Sequence, residues 1–359
     1  MSGYPRFFKF SVTRVKRTAR FRRVTFSHLV NIHPKTSHSG DLTPSIHQLR
    51  RTIAMLALGA LCAGSAIAQN DWCKSKWGPN DELGATNLLT PQLAADAAKL
   101  VKTGKTYALG FETNSSTPAF APRTWALTIL QPGQVGGISL GGTKTTYNDD
   151  IYMGWVGTGS QLDGLGHIGI DNVYYNCNKN SDFVQANGLK KLGIEKVPPF
   201  VTRGVVLDMT EHFKTPMLPE GTAFNRKEIE EQATRQGITI KKGDVVLFHT
   251  GWQALEGKDN KRFISAEPGL GKDGALFLAS KEVIAVGADN WGLEVVPFEK
   301  DVGVFEVHQI LLARNGIYIL ENMNTTNLVK DKAWEFMFVL GQSRITGGVQ
   351  AIVNPVAIR

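Results

Sequence analysis

Over residues 69–359 the chain carries four histidines, His167, His212, His249 and His308, so a reaction needing a base near neutral pH has few groups to draw on. His167 closes the glycine-rich run Gly157-Thr158-Gly159-Ser160-Gln161-Leu162-Asp163-Gly164-Leu165-Gly166-His167. Glycine at that density marks a loop whose backbone approaches something closely, and it presents Asp163 and His167 rigidly. A nucleotide phosphate is a poor candidate for that something. The Lys-Ser/Thr pair of a P-loop is missing, and so is a G-x-G-x-x-G spacing ahead of a helix. Ser160 lies outside a G-x-S-x-G elbow and no Ser-His-Asp set accompanies it, which argues against a serine nucleophile. Taken alone, a histidine in such a loop is more often a structural hydrogen-bonding residue, so its partners decide its role.

The second cluster is Val307-His308-Gln309-Ile310-Leu311-Leu312-Ala313-Arg314-Asn315-Gly316-Ile317-Tyr318-Ile319-Leu320-Glu321-Asn322. His308 begins a short apolar helix, Asn315-Gly316 turns the chain, and Ile317 to Leu320 runs as a strand that delivers Glu321. About two helical turns span about 10 Å and a four-residue strand about 13 Å, so the return brings His308 and Glu321 to the same end of the unit. A carboxylate at the end of an apolar strand is costly to bury unless it is paired or binds a metal. An ion shared with His308 and a salt bridge to an arginine both satisfy that requirement.

Around these clusters, Thr90 caps and Pro91 opens a helix that ends near Gly104, and Asn225 with Glu228 forms a capping-box start to a second helix closed at Gly237. Between and after them lie β-rich runs, Gly204 to Met209, Asp244 to Thr250, Val283 to Ala288, Ile317 to Leu320 and Trp334 to Leu340. These runs are nearly continuous in Val, Ile, Leu and Phe, so both faces of the sheet are expected to be covered, in an α/β layer architecture. Residues 105 to 160 lack helix signals, and strands with long loops are expected there. No linker, repeat or low-complexity break divides residues 69–359, which read as one domain.

The first 68 residues read differently. Arg50 and Arg51 precede an apolar run, Ile53 to Cys62, that leads into Ala66-Ile67-Ala68 before Gln69, the pattern of a signal peptide cleaved near Ala68/Gln69. The run is too short to span a membrane, so the mature chain is expected to be soluble, with no membrane association after signal removal, in the periplasm or secreted. Residues 1–68 hold 11 of the 40 Lys and Arg but one, Asp41, of the 32 Asp and Glu, so 29 basic residues face 31 acidic ones in 69–359. The basic balance of the whole chain belongs to the leader, and no nucleic-acid partner follows from it. Export would keep Cys73 and Cys177 where disulfides persist, and either a bridge between them or two separate thiols fits the sequence.

Several segments resemble the cyclase family, which includes kynurenine formamidases and isatin hydrolases. They are Trp77-Gly78-Pro79-Asn80-Asp81-Glu82-Leu83-Gly84-Ala85-Thr86-Asn87-Leu88-Leu89, Arg203 to Asp208, Gly243 to Trp252, Pro268-Gly269-Leu270, Gly287-Ala288-Asp289-Asn290, the His308–Glu321 unit and Asn354-Pro355-Val356-Ala357. The resemblance implies a swivelling β/β/α-type α/β fold, with a central, mostly buried sheet and flanking helices. The family motif reads His-x-Gly-Thr-His-x-Asp-x-Pro-x-His, in which two histidines and the aspartate bind metal and the last histidine acts on substrate or water. Here Asp163 and His167 match, and His308 and Glu321 match the later ligands. Gly157 and Gln161 stand where the two metal-binding histidines are expected. The similarity therefore implies one divalent ion, Mn²⁺ or Zn²⁺, held by Asp163, His308 and Glu321, with the Gln161 carbonyl as a further ligand.

In that reading His167 is the proton carrier, Glu321 serves in catalysis as well as ligation, and the reaction hydrolyses a small amide, lactam or ester. Trp155 and Trp291, with His249 at the edge, are the expected lining of a pocket for a flat small-molecule substrate, although tryptophans are more often core. His212 reads as a surface or packing residue. The resemblance also implies a homodimer or larger homo-oligomer. Two rival readings use the same site. One is an exported small-ligand binding protein that has lost turnover along with two motif histidines; the other is a lyase or dehydrating cyclase.

Overall fold

Four runs of β-branched and aromatic residues form the middle of the molecule: β5 (Phe200–Asp208), β6 (Val245–His249), β7 (Ala285–Ala288) and β8 (Tyr318–Glu321). They lie side by side and parallel. Val205 to Leu207, Val245 to Phe248 and Tyr318 to Leu320 have no exposed surface. A parallel sheet covered on both faces needs such unbroken apolar runs, and these agree with the expected strands to within a few residues. The computed structural model describes residues 72–130 and 139–359, which lie within one compact unit, Leu61–Arg359. The leader and its cleavage site fall outside the described residues.

Antiparallel strands complete the architecture, all but one pair of them extending this core on both sides. In chain order these are β1 (Thr106–Ala108), the hairpin β2 (Trp125–Leu130) and β3 (Asp149–Gly154), β4 (Gln161–Asp163), and at the C-terminal end β9 (Glu335–Leu340), β10 (Gln350–Ile352) and β11 (Val356–Ile358). The nine-stranded sheet has the order β1-β11-β9-β5-β6-β7-β8-β4-β10. The β2–β3 hairpin stands apart from it. The described residues between 105 and 160 thus form strands and long loops, as expected.

Local signals account for the flanking helices. In α1 (Pro91–Ala98) the Thr90 side chain accepts from the Leu93 N–H, and Pro91 takes the first helical turn, where no intrahelical donor is needed. The helix stops at Ala98, earlier than the Gly104 end expected from sequence. For α2 (Arg226–Gln236), Asn225 and Glu228 close a capping box and Gly237 ends the helix with φ +70°. Both helices pack against β5. After α3 (Lys272–Ser280), the one-turn α4 (Glu306–His308) runs straight into a π-helical segment, Gln309–Arg314. Cys73 and Cys177 are joined by a disulfide. Among the described residues no helix is long and apolar enough to cross a membrane.

Candidate metal centre

The register of three adjacent strands builds the floor of the site. Glu321 on β8 lies opposite Gln161 on β4, and Asp163 lies opposite Gln350 on β10. Side chains two residues apart on a strand share a face, and cross-strand partners share it too, so Gln161, Asp163, Glu321 and Gln350 all project from one side. All four are buried. The turn before β8 depends on Gly316, whose φ is +63° and where an added Cβ would come within 2.6 Å of Tyr175. That turn folds the π-helical segment back so that His308 meets Glu321, with 3.2 Å between Nε2 and Oε1. The helix–turn–strand return expected from sequence is the one observed.

Asp163, His308 and Glu321 each offer a ligand atom, and these atoms lie within 4.8 Å of one another. Asp163 Oδ1 accepts from Gln161 Nε2 at 3.2 Å and from Gln350 Nε2 at 2.7 Å. Its Oδ2 is buried without a hydrogen-bond partner, 3.9 Å from His308 Nε2 and 4.0 Å from His167 Nε2. An orphaned carboxylate oxygen facing an imidazole nitrogen and a second carboxylate is a mixed N/O donor set that fits a divalent cation. Behind the ligands, His308 Nδ1 donates to Glu294 Oε1 at 2.5 Å. This bond fixes the tautomer that leaves Nε2 free to ligate.

Gln161 is present in the site, but in a different role from the one expected. Its Nε2 donates to both Asp163 and Glu321, while Oε1 is the atom left without a partner. As oriented, the residue holds the two carboxylates and does not offer an oxygen to an ion. A half-turn of its terminal amide would exchange the two atoms.

Burial dominates the electrostatics. It lowers the pKa of His167 against the pull of Asp163, keeping the imidazole neutral near pH 7. Burial and then the charge of Asp163 push Glu321 up to about 7, opposed by His308. For His308 burial acts downward, but the hydrogen bonds to Glu294 and Glu321 outweigh it and hold the group well above its ordinary value. Glu321 and His308 are thus a buried acid and a buried base that a cation would convert to their ligating forms.

Above the ligands opens a cavity of about 180 Å³, lined by Phe120, Arg123, His167, Ile168, Trp291, Gly292, Phe305, His308 and Glu321. Phe120 stacks on Trp291 at 5.7 Å between ring centroids and meets Phe305 edge-on. Trp291 is thus a wall of the cavity. Trp155 does not line it: this residue follows the hairpin and is 48% exposed. His249 does not line it either, because its Nδ1 is engaged by Thr325 Oγ1 at 2.8 Å and by Asp289 Oδ2 at 3.2 Å. His249 closes β6, and the loops that follow the neighbouring strands β7 and β8 supply Asp289 and Thr325 as partners for the ring. Ser160 donates to the Asn322 carbonyl and accepts from the Phe111 N–H, each at 2.6 Å, so both its functions are used in holding the loop. His212 lies beside Phe213 and Glu231.

The sequence reading missed several groups. Glu294 and Gln350 support the ligands, and Phe120 and Phe305 make the aromatic walls. Glu267 is fully buried and accepts the Trp291 and Gly292 N–H groups through Oε2. Arg123 is the cation of the cavity. Phe305 carries one local signal of strain, a φ of +52° at a bulky residue just before α4.

The family described as "Putative cyclase" matches residues 107–295, a span that contains Asp163 and His167 and stops short of His308 and Glu321. The crystal structure of a novel cyclase is 30% identical, covering 81% of this chain and 99% of its own, with a TM-score of 0.73. The chain belongs to the cyclase family. Isatin hydrolase A from Ralstonia solanacearum shares the fold at 18% identity, covering 74% of this chain and 95% of its own, with a TM-score of 0.54. An isatin hydrolase bound to the product analogue thioisatinate does so at 17% identity, over 75% and 98%, with a TM-score of 0.53. No curated protein sequence matches. Within this cyclase-family chain the large curved sheet with flanking helices is the expected architecture.

Proposed function

We propose that this cyclase-family protein is a metal-dependent hydrolase that opens a small amide, lactam or ester. The observation that carries the reading is the convergence of Asp163 Oδ2, His308 Nε2 and the Glu321 carboxylate within 4.8 Å at the base of a cavity into which His167 also faces. When bound there, a single divalent ion supplies a Lewis acid for the substrate carbonyl and lowers the pKa of water. The protein's own groups do the rest. Neutral His167 takes the proton from the attacking water and returns it to the leaving nitrogen or oxygen. Glu294 holds His308 in its ligating tautomer, and Gln161 with Gln350 fixes Asp163 so that Oδ2 faces inward. Phe120, Trp291 and Phe305 exclude solvent and offer flat faces to a ring. A cavity of this volume takes a substrate of one or two rings, and fold neighbours named isatin hydrolase support a cyclic amide.

The test is hydrolysis of formanilide, lactam and lactone substrates by purified protein whose metal content is measured. Close to one tightly held divalent ion, with activity lost in chelator and restored by the metal, is the expected result. A folded, metal-free protein that binds these compounds unchanged would favour the binding-protein reading. Products formed without net addition of water would favour a lyase.

We also propose export by a signal peptide ending near Ala68, to the periplasm or beyond; the Cys73–Cys177 disulfide supports this. An N-terminus of the mature protein far from Gln69 would overturn it. A homodimer or larger homo-oligomer is our reading of the oligomeric state, supported by Ile129, Ile151, Tyr152 and Met153, which the β2–β3 hairpin leaves at least half exposed. A monomer by light scattering would refute it.

A further inference from the structure

Arg123 occupies space that exists only because residue 157 is glycine. A Cβ built at Gly157 would lie 2.6 Å from Arg123 Nη1 and 3.0 Å from Gln350 Nε2. In the motif this chain resembles, that position carries a metal-binding histidine. A side chain at this position would collide with the guanidinium, so the glycine that stands where the motif has a histidine is also what admits a fixed positive charge.

The guanidinium is not consumed by the fold. Nη1 donates to the Gly157 carbonyl at 2.7 Å, and among the described residues no carboxylate lies within ion-pair distance of it. Four of its five N–H donors remain for other use. Of the site carboxylates, Glu321 lines the same cavity and feels the Arg123 charge, while Asp163 already accepts from Gln350. The side chain is half-buried in the wall of the cavity, and its positive field reaches both Glu321 and His167. Trp291, in the same wall, has an indole N–H with no partner. A planar fork of donors beside stacked aromatic rings matches a carboxylate attached to a flat ring.

We propose that Arg123 is the specificity-determining residue of this site, and that the substrate is a flat-ring amide, lactam or ester bearing a separate carboxylate that Arg123 binds. This rests on the hydrolase reading for the bond that is opened, but the anion site can be tested by binding alone. Manganese-loaded protein is titrated calorimetrically with benzoate and with benzamide, which differ in charge and little in shape. We expect benzoate to bind about ten- to a hundredfold more tightly than benzamide, the range for a charge-assisted pair. Arg123→Met should bring the ratio to near one, and Arg123→Lys should leave it in between. Gly157→Ala, whose new methyl group crowds the guanidinium from the other side, should reduce the ratio as well, which keeps the test open if Arg123→Met fails to fold.

Equal binding of the two probes by the wild type would overturn the proposal. So would a benzoate preference that survives in Arg123→Met, because the anion would then sit on the metal. If Arg123→Met does not fold, an unchanged preference in both Arg123→Lys and Gly157→Ala has the same force. A preference that depends on Arg123 in a protein with no turnover would sink the hydrolase reading and leave the anion site standing. Turnover without any preference would do the reverse.

Discussion

Replacing Glu294 tests whether His308 is a ligand whose tautomer is held from behind. Glu294 is buried, and its Oε1 accepts from His308 Nδ1 at 2.5 Å, a short, charge-assisted bond, and from the His308 backbone N–H at 3.3 Å. Its Oε2 takes the Val307 N–H at 3.4 Å. In Glu294→Gln an acceptor remains for Nδ1–H, so the tautomer persists while the charge that makes the imidazole a stronger donor to metal is gone. In Glu294→Ala both are lost, and the ring is free to present a protonated Nε2 to the ion. Partners behind a metal ligand are typically worth about 10- to 100-fold in metal affinity, equivalent to about 1.4–2.8 kcal/mol. The expected order is a loss of about tenfold for the glutamine variant and about a hundredfold for alanine. Competition against a fluorescent chelator measures the affinity, and thermal melting checks that both variants fold. A folded Glu294→Ala with metal affinity within about twofold of the wild type would refute the reasoning.

His167→Ala should lower kcat by about 10²–10⁴-fold while metal content is unchanged. Because burial lowers the pKa of His167, the active neutral form persists below the usual imidazole range, so the acid limb of kcat/KM should fall below pH 6.5, the ordinary value; a limb centred above pH 7 contradicts this. With Glu321 pushed up to about 7 and His308 held well above its usual value, a cation entering at neutral pH must displace protons, and affinity should weaken as the pH falls below 7. Calorimetry in buffers of different ionisation enthalpy reads this directly, and metal binding with no proton release would speak against the ligand set. Cys73 and Cys177 close a loop across 104 residues, so Cys177→Ser should cost about 2–4 kcal/mol; an unchanged melting temperature in that variant would show the bridge to be dispensable.

The parts of the site that were legible in the sequence are those fixed locally. Glu321 announces itself as an acid ending an apolar strand, and His308 is tied to it by a turn only a few residues away. The parallel core was equally readable, because strands buried on both faces admit only continuous apolar runs. What escaped depends on pairing between distant segments. Gln350 enters the site only because β10 pairs with β4 in one particular register, and a one-residue slip would turn it to the other face. Arg123 is linked to Gly157 by a close approach across 34 positions, and neither residue signals the other. The glycine at 157 reads in sequence as a lost ligand; in the fold it is room for a guanidinium. Trp155 and His249 went the other way. A tryptophan near the motif suggested a pocket, but Trp155 stands where the chain comes off the hairpin, outside the cavity, and the histidine pairs with Thr325 and Asp289 in the loops after β8 and β7.

The proposed chemistry depends on one cation held between Asp163, His308 and Glu321. Diffraction from crystals grown with manganese, recorded at the manganese absorption edge, tests it most directly. A single strong anomalous peak within ligand distance of Asp163 Oδ2, His308 Nε2 and a Glu321 oxygen, with none beside Gly157, is the expected result. Full occupancy of another site, or a folded protein with no peak between those three side chains, would contradict the account.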